Sequence, residues 1–279
     1  MSQSYSDRIK GMILSGLTGE MIGAPYEGMK RQNIPDNFIG KIATKGLTDD
    51  GMMTIQVIEV LNSIASPTVD DFHKAYCTDL NERLYPKDLY ATLSSLAKYY
   101  KGELKEPPTP VSTYTNTSVM RVSPFATLPD NDATKKLIER SMYYTHNNDI
   151  AKINVFGYVG VLRSLLNREP IPEGAIVIRA KEIGKSTVDI HRAFFGRTNH
   201  LAIRVTDCIT VALAIYFRYI EQPTQGFKEC IKLGGVTGTT TKLLGELYGA
   251  TYGIDILNQG NISKLDEYER IVEAVNGLI

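Results

Sequence analysis

Ser6-Asp7-Arg8-Ile9-Lys10-Gly11-Met12-Ile13-Leu14-Ser15-Gly16-Leu17-Thr18-Gly19-Glu20 carries the pattern that decides the fold class. Ile9, Met12, Ile13 and Leu17 recur at the three-to-four spacing of one helix face, and Ser6 or Asp7 is placed to cap its start. Gly11, Gly16 and Gly19 strip side-chain bulk from the same stretch, so a second helix can approach this one closely. The reading is a core helix. Gly23, Ala24 and Pro25 end it and open a Gly-, Pro- and Asn-rich loop over residues 26–46, long enough to carry function.

Working outward, Thr48-Asp49-Asp50 introduces a second pattern with Met53, Val57, Leu61 and Ile64 on one face, closing near Pro67. The same period predicts helices over 69–80, 88–101, 132–145, 149–167, 174–185, 202–219, 225–233, 239–252 and 264–275. No strand series is present. Residues 106–130, with Pro107, Pro108, Pro110, Pro124 and Pro129, are too long for a simple connector and are expected to cover a site. Helices alternate with loops from end to end without a repeat or low-complexity tract, which predicts one all-α domain over residues 1–279.

Composition excludes several classes. The 279 residues are 43% hydrophobic and 22% charged, enough for a core that buries about 75% of the unfolded chain's surface. Lys plus Arg and Asp plus Glu both number 31, so direct nucleic-acid binding through a general electrostatic grip is not expected. Cys77, Cys208 and Cys230 are odd in number and lack a C-x-x-C, which predicts free thiols in a reducing compartment. The polar residues 1–10 lack a signal-peptide core, and the expected location is intracellular, in the cytoplasm. Residues 201–220 are the most lipid-like stretch, yet Arg204, Asp207 and Arg218 make them a buried helix and leave no membrane contact.

Two motifs could carry chemistry. Thr48-Asp49-Asp50 sets a hydroxyl and two carboxylates at a helix start, where they suit either capping or a hard cation such as Mg²⁺. Gly234-Gly235-Val236-Thr237-Gly238-Thr239-Thr240-Thr241-Lys242 leads into a helix and collects N–H groups and hydroxyls that suit an anion or sugar hydroxyls. It lacks Walker A spacing, and a plain helix start after a flexible turn reads equally well. His146 sits where a histidine caps a helix end, and Arg121, beside apolar neighbours, suits a structural ion pair. His73, His191 and His200 have no metal spacing.

In order along the chain, these segments resemble the ADP-ribosylglycohydrolase family. Gly19-Glu20-Met21-Ile22-Gly23-Ala24-Pro25-Tyr26-Glu27 resembles its G-D-A-L-G-x-x-x-E signature, and Thr48-Asp49-Asp50-Gly51 resembles T-D-D-T. Asn116-Thr117-Ser118-Val119-Met120-Arg121 is similar to N-G-x-x-M-R, Thr145-His146 to T-H, and residues 234–253 to G-G-D-x-D-T with the later G-A-x-x-G. The resemblance implies an orthogonal multi-helix bundle that cleaves ADP-ribosyl glycosidic bonds with Mg²⁺ assistance. It implies catalytic roles for Glu27, Asp49 and Asp50, and metal-ligand roles for Thr48, Asp49, Asp50 and Thr239. Asn116, Ser118, His146, Gly235, Thr237 and Gly238 would hold ADP-ribose or an ADP-ribosylated substrate.

The departures matter as much. Val236-Thr237-Gly238-Thr239 stands where the family has D-x-D-T, so both second-half carboxylates are missing. The resemblance implies a site for two Mg²⁺, which here would face only Asp49 and Asp50, and this reduces the expected count to one ion or none. Glu20 replaces an Asp, Gly51 a Thr, and Thr117 a Gly. Three readings follow: a one-metal hydrolase, a catalytically inactive ADP-ribose-binding protein, or a second-metal position converted to an anion site beside Lys242.

Overall fold

The glycine-bearing stretch forms α1, Tyr5–Gly23, in the computed structural model, which describes residues 3–35, 46–186, 189–190, 204–254, 263 and 265–279. Its cap is Ser4, two residues earlier than Ser6, because Asp7 closes a capping box from the third helical position. The Ser4 hydroxyl accepts from the Asp7 N–H at 3.0 Å, and the Asp7 carboxylate accepts from the Ser4 N–H at 3.1 Å. Further helices are α2 Asp49–Ser63, α3 Val69–Tyr76, α4 Lys87–Tyr100, α5 Asp132–Met142 and α6 Asp149–Asn167. They are followed by α7 Ala175–Lys185, α8 Val205–Arg218, α9 Pro223–Lys232, α10 Thr237–Tyr252 and α11 Tyr268–Gly277. The fold is all-α; among the described residues only isolated bridges, Lys30 with Gly234 and Thr115 with Arg204, have β character.

The glycines of α1 meet a helix from the far end of the chain. A Cβ on Gly11 would lie 2.4 Å from the Gly253 carbonyl carbon, one on Gly19 2.2 Å from the Thr241 oxygen, and one on Gly23 2.1 Å from the Thr241 hydroxyl. The order of these contacts makes α1 and α10 antiparallel. Gly245 and Gly249 of α10 reciprocate: a Cβ there would meet the Ser15 and Gly11 oxygens at 2.1 and 2.0 Å. The two helices therefore touch backbone to backbone in the most extensive helix contact among the described residues.

Every residue of α10 from Thr237 to Ala250 is buried, with α6, α8 and α9 packed on its other sides. α2 packs against α1, α3 and α11. Among the described residues no helix is long and apolar enough to cross a membrane. The 106–130 segment bears on the site only in part, through Asn116 and Thr117. Val119, Met120, Val122 and Phe125 are wholly buried, and short 3-10 turns at Asn116–Ser118 and Ser123–Thr127 build this part into the core.

Other expectations shift at their edges. α3 stops at Tyr76 and α10 begins two residues ahead of position 239. His191, His200, loop residues 36–45, and the starts of two expected helices at 202–203 and 264 lie outside the described residues.

Candidate functional site

The α1–α10 contact brings the two ends of the sequence to one cavity of about 230 Å³. Ala24 and Glu27 line it from the turn after α1, Thr48, Asp49 and Asp50 from the start of α2, and Gly238 and Thr239 from the first turn of α10. Asn116 and Thr117 form a further wall, and Leu84, Tyr85 and Pro86 add an apolar one. The Asn116 amide donates to the Thr239 hydroxyl at 2.8 Å, and Thr239 lines the cavity together with Asp50, whose charged form it favours. Three segments of the chain thus meet there.

The start of α2 is not a plain cap. Thr48 occupies the N-cap position without capping; its hydroxyl and N–H both donate to Glu20 Oε1, at 2.5 and 2.8 Å. Asp49 and Asp50 enter the first turn almost fully buried, 8% and 4% exposed, and Glu20 is 0% exposed. Asp49 Oδ2 and Glu20 Oε2 have no hydrogen-bond partner.

Burial and mutual repulsion hold these acids toward their neutral forms. Glu20 rises to about 8 through burial and then the Asp50 charge, against the bonds from Thr48. Asp50 rises to about 6 by burial, with the Thr239 hydroxyl and Lys242 opposing. Asp49 is pushed well up by burial and then by Asp50 and Glu20. Buried carboxylates short of positive partners are the electrostatic signature of a functional or cation-binding site.

The start of α10 already holds an anion of the chain's own. Glu27 Oε2 accepts from the Gly238 N–H at 2.7 Å and lies 3.4 Å from the Thr237 hydroxyl. A Cβ on Gly238 would stand 3.2 Å from that same oxygen, so the Glu27 carboxylate borders the space an aspartate at 238 would need. Glu27 exposes part of its surface at the rim, but its carboxyl end is turned in onto Gly238 and is raised to about 7 by burial, with the Gly238 N–H opposing and the Asp50 charge adding to the rise. The anion site expected beside Lys242 is therefore not free. Lys242 is also turned away from it, buried and ion-paired with Glu246.

Several sequence-selected residues stand behind the cavity wall. Gly235 donates its N–H to the Met29 oxygen at 2.9 Å and accepts from the Gly28 N–H at 2.7 Å, fastening the Glu27 loop to α10. Gly234 and Gly235 adopt φ of 73° and 74°, a left-handed conformation that favours glycine. Thr237 spends its hydroxyl on the Gly23 oxygen at 2.8 Å, and Ser118 on the Thr115 oxygen at 2.7 Å.

His146 is buried, with Nε2 2.7 Å from the Thr117 hydroxyl and 3.1 Å from that of Thr115; it reaches the cavity only through Thr117. Arg121, in place of the expected ion pair, donates to the Thr117 and Ser141 oxygens and the Thr145 hydroxyl and lies over the Tyr76 ring. His73 is structural, its Nδ1 2.7 Å from the Val69 oxygen.

Glu27, Thr48, Asp49, Asp50, Asn116, Gly238 and Thr239 do meet at the cavity. Sequence reading missed Glu20, Tyr85 and Thr117. Glu20 had a signal: with Gly51 it forms a matched pair of departures, because a Cβ on Gly51 would lie 2.6 Å from Glu20 Oε2. The longer acid fits because the neighbouring side chain is absent.

A helical bundle that gathers buried acids and helix-start hydroxyls from both chain ends into one cavity defines an all-α protein with a hard, oxygen-lined site. The ADP-ribosylglycohydrolase family profile matches residues 1–279, and the chain belongs to that family. It is 25% identical to ADP-ribosyl-[dinitrogen reductase] glycohydrolase of Rhodospirillum rubrum over 299 residues, covering 99% of this chain and 97% of the relative. A solved structure described as an ADP-ribosylglycohydrolase-related protein complex matches with a TM-score of 0.71 at 19% identity, over 99% of this chain and 98% of the other.

Proposed function

We propose that this chain hydrolyses an ADP-ribosyl glycosidic bond in an ADP-ribosylated substrate, using one Mg²⁺. The observation that carries the reading is the unpartnered, buried Asp49 Oδ2 in a cavity that Asp50, Asn116 and Thr239 also line. Among the described residues no three His, Cys, Asp or Glu side chains form a ready cage. Mg²⁺ does not need one, since it keeps several waters and is commonly held by one or two carboxylates. Family membership supports the metal, and the donors present, Asp49 and Asp50 with the Thr48 and Thr239 hydroxyls, fit one hard cation. When bound it supplies Lewis-acid polarisation and a template for sugar hydroxyls.

The protein's own groups do the rest. The cavity is below the roughly 300 Å³ at which pockets for drug-sized ligands begin, so a single sugar is the portion it would enclose. Asn116 and Thr117 offer hydrogen bonds to ribose hydroxyls, while Leu84, Tyr85 and Pro86 keep water from the sugar face. His146, Ser118, Gly235 and Thr237 act as positioning residues behind Thr117, Asn116 and Glu27. Glu27, near neutrality at the rim, is suited to take a proton from the attacking water at the anomeric carbon.

The test is release of ADP-ribose from an ADP-ribosylated peptide by the full chain, with Mg²⁺ and with chelator. Asp49→Ala and Asp50→Ala are expected to lower kcat/KM by about 10²–10³, the scale of losing one preorganised electrostatic contact. Release that survives both substitutions removes the roles given to them. Val236 and Gly238, at the positions of the family's missing aspartates, favour a second reading in which ADP-ribose binds without turnover. Calorimetric ADP-ribose binding with no release under any metal would select it.

A further inference from the structure

Asp49 shares one face of α2 with Met52, Gln56 and Glu59, each three or four residues after the last. Arg270 of α11 lies along that face. Its Nε and Nη2 form a fork on the two carboxylate oxygens of Glu59, at 2.5 and 2.8 Å, and its Nη1 comes within 3.5 Å of the Met52 sulfur. The same Nη1 donates to Asp79 Oδ2 at 2.8 Å. That oxygen also accepts from the Thr78 hydroxyl at 3.2 Å and from the amide of Gln56, buried in α2, at 3.3 Å. One guanidinium therefore joins carboxylates of two segments, a task suited to its planar set of donors and not to a point charge.

Both segments lead to the cavity. Two residues beyond Asp79, the Asn81 carbonyl accepts from the Leu84 and Tyr85 N–H groups at 3.0 and 3.2 Å, and Asn81 Oδ1 accepts from the Arg83 N–H at 3.0 Å. This closed turn presents Leu84, Tyr85 and Pro86 as the apolar wall, while the start of α2 presents Asp49 and Asp50. Tyr85 is buried and roots the wall in the core. Arg270 does not itself line the cavity.

Resting on the reading that this cavity takes the ribose of ADP-ribose, we infer that Arg270 is a positioning residue. By clamping Asp79 to Glu59 it fixes the gap between the Leu84–Pro86 wall and the acidic start of α2, and with it the fit of the ligand held there. Asn62 supplies the contrast. Its amide donates to the Ala274 oxygen at 2.9 Å and so also holds α11 on α2, but that bond has no arm to the turn.

Titration calorimetry of the full chain with ADP-ribose in the presence of Mg²⁺ tests this, comparing the wild type with Arg270→Gln, Asp79→Ala and Asn62→Ala. Circular dichroism checks that each is folded. Arg270→Gln and Asp79→Ala are expected to weaken ADP-ribose binding about fivefold, the most that loss of one surface ion pair can transmit. Asn62→Ala is expected to lower Tm and to keep the wild-type affinity, which a purely structural role of α11 would not allow Arg270 and Asn62 to divide between them.

Unchanged affinity in folded Arg270→Gln or Asp79→Ala, an equal loss in Asn62→Ala, or no ADP-ribose binding by the wild type overturns the inference. Should Arg270→Gln fail to fold, Asp79→Ala against Asn62→Ala decides in the same way. The readout is ligand binding, so binding that responds as expected without any release of ADP-ribose removes the proposed hydrolysis and leaves this inference standing.

Discussion

Glu20 is where one added methylene changes its neighbours' chemistry. Its carboxylate takes both hydrogen bonds from Thr48 and fills the space beside Gly51. Gly51→Thr should then cost about 1–3 kcal/mol through overpacking. Glu20→Asp in the same chain should recover much of it, a coupling that urea unfolding of the four forms would read; additive losses would break the pairing. Glu20 also sets a pH dependence. Its folded pKa of about 8, and that of Asp50 near 6, stand above the ordinary values of 4.5 and 3.8. A raised acid favours the folded state most below its ordinary pKa and loses that contribution as pH rises through the folded value. The metal-free protein should therefore lose stability between about pH 4 and 8, as melting in chelator would show. Glu20→Gln should flatten the profile, and Mg²⁺ should offset the loss because it binds the deprotonated acids.

At the scale of elements the decisive contact is α1 on α10, and the cavity inherits its precision from it. Gly249→Ala would place a methyl 2.0 Å from the Gly11 oxygen, a backbone atom that cannot swing aside. A loss of about 3 kcal/mol is expected in denaturant unfolding, at the upper end of overpacking costs, together with loss of any ADP-ribose release. An unaffected Gly249→Ala variant would mean that the helices do not touch as described. Half of this contact was legible beforehand: Gly11, Gly16 and Gly19 announced a close neighbour, and the helix period placed most elements. The start of α10 was not, because Thr237 and Gly238 have weak helix propensity and read as loop. Nor was the docking of Glu27 on Gly238, a contact across 211 residues for which no local pattern exists. The anion site that the sequence suggests beside Lys242 overlooks that its charge is spent on Glu246, four residues on, because sequence displays charge and hides burial.

For the whole molecule, the cavity draws residues from 24 to 239 against a core shared by helices from both halves of the sequence, and we propose a single cooperative domain over residues 1–279. Anything that binds there must be felt by every helix at once. Calorimetry is expected to show one unfolding transition in which Mg²⁺ shifts the entire peak. At a hundredfold excess over Kd, mass action contributes about 2.7 kcal/mol. For a chain of 279 residues that corresponds to a rise of roughly 5 °C. Asp49→Ala should abolish the shift without splitting the peak, since its carboxylate has an unpartnered oxygen. Two transitions, only one of them responsive to Mg²⁺, would divide the chain into units that the α1–α10 contact does not unite. The seam between the two ends of the sequence would then be a docking surface instead of the core from which the site is built.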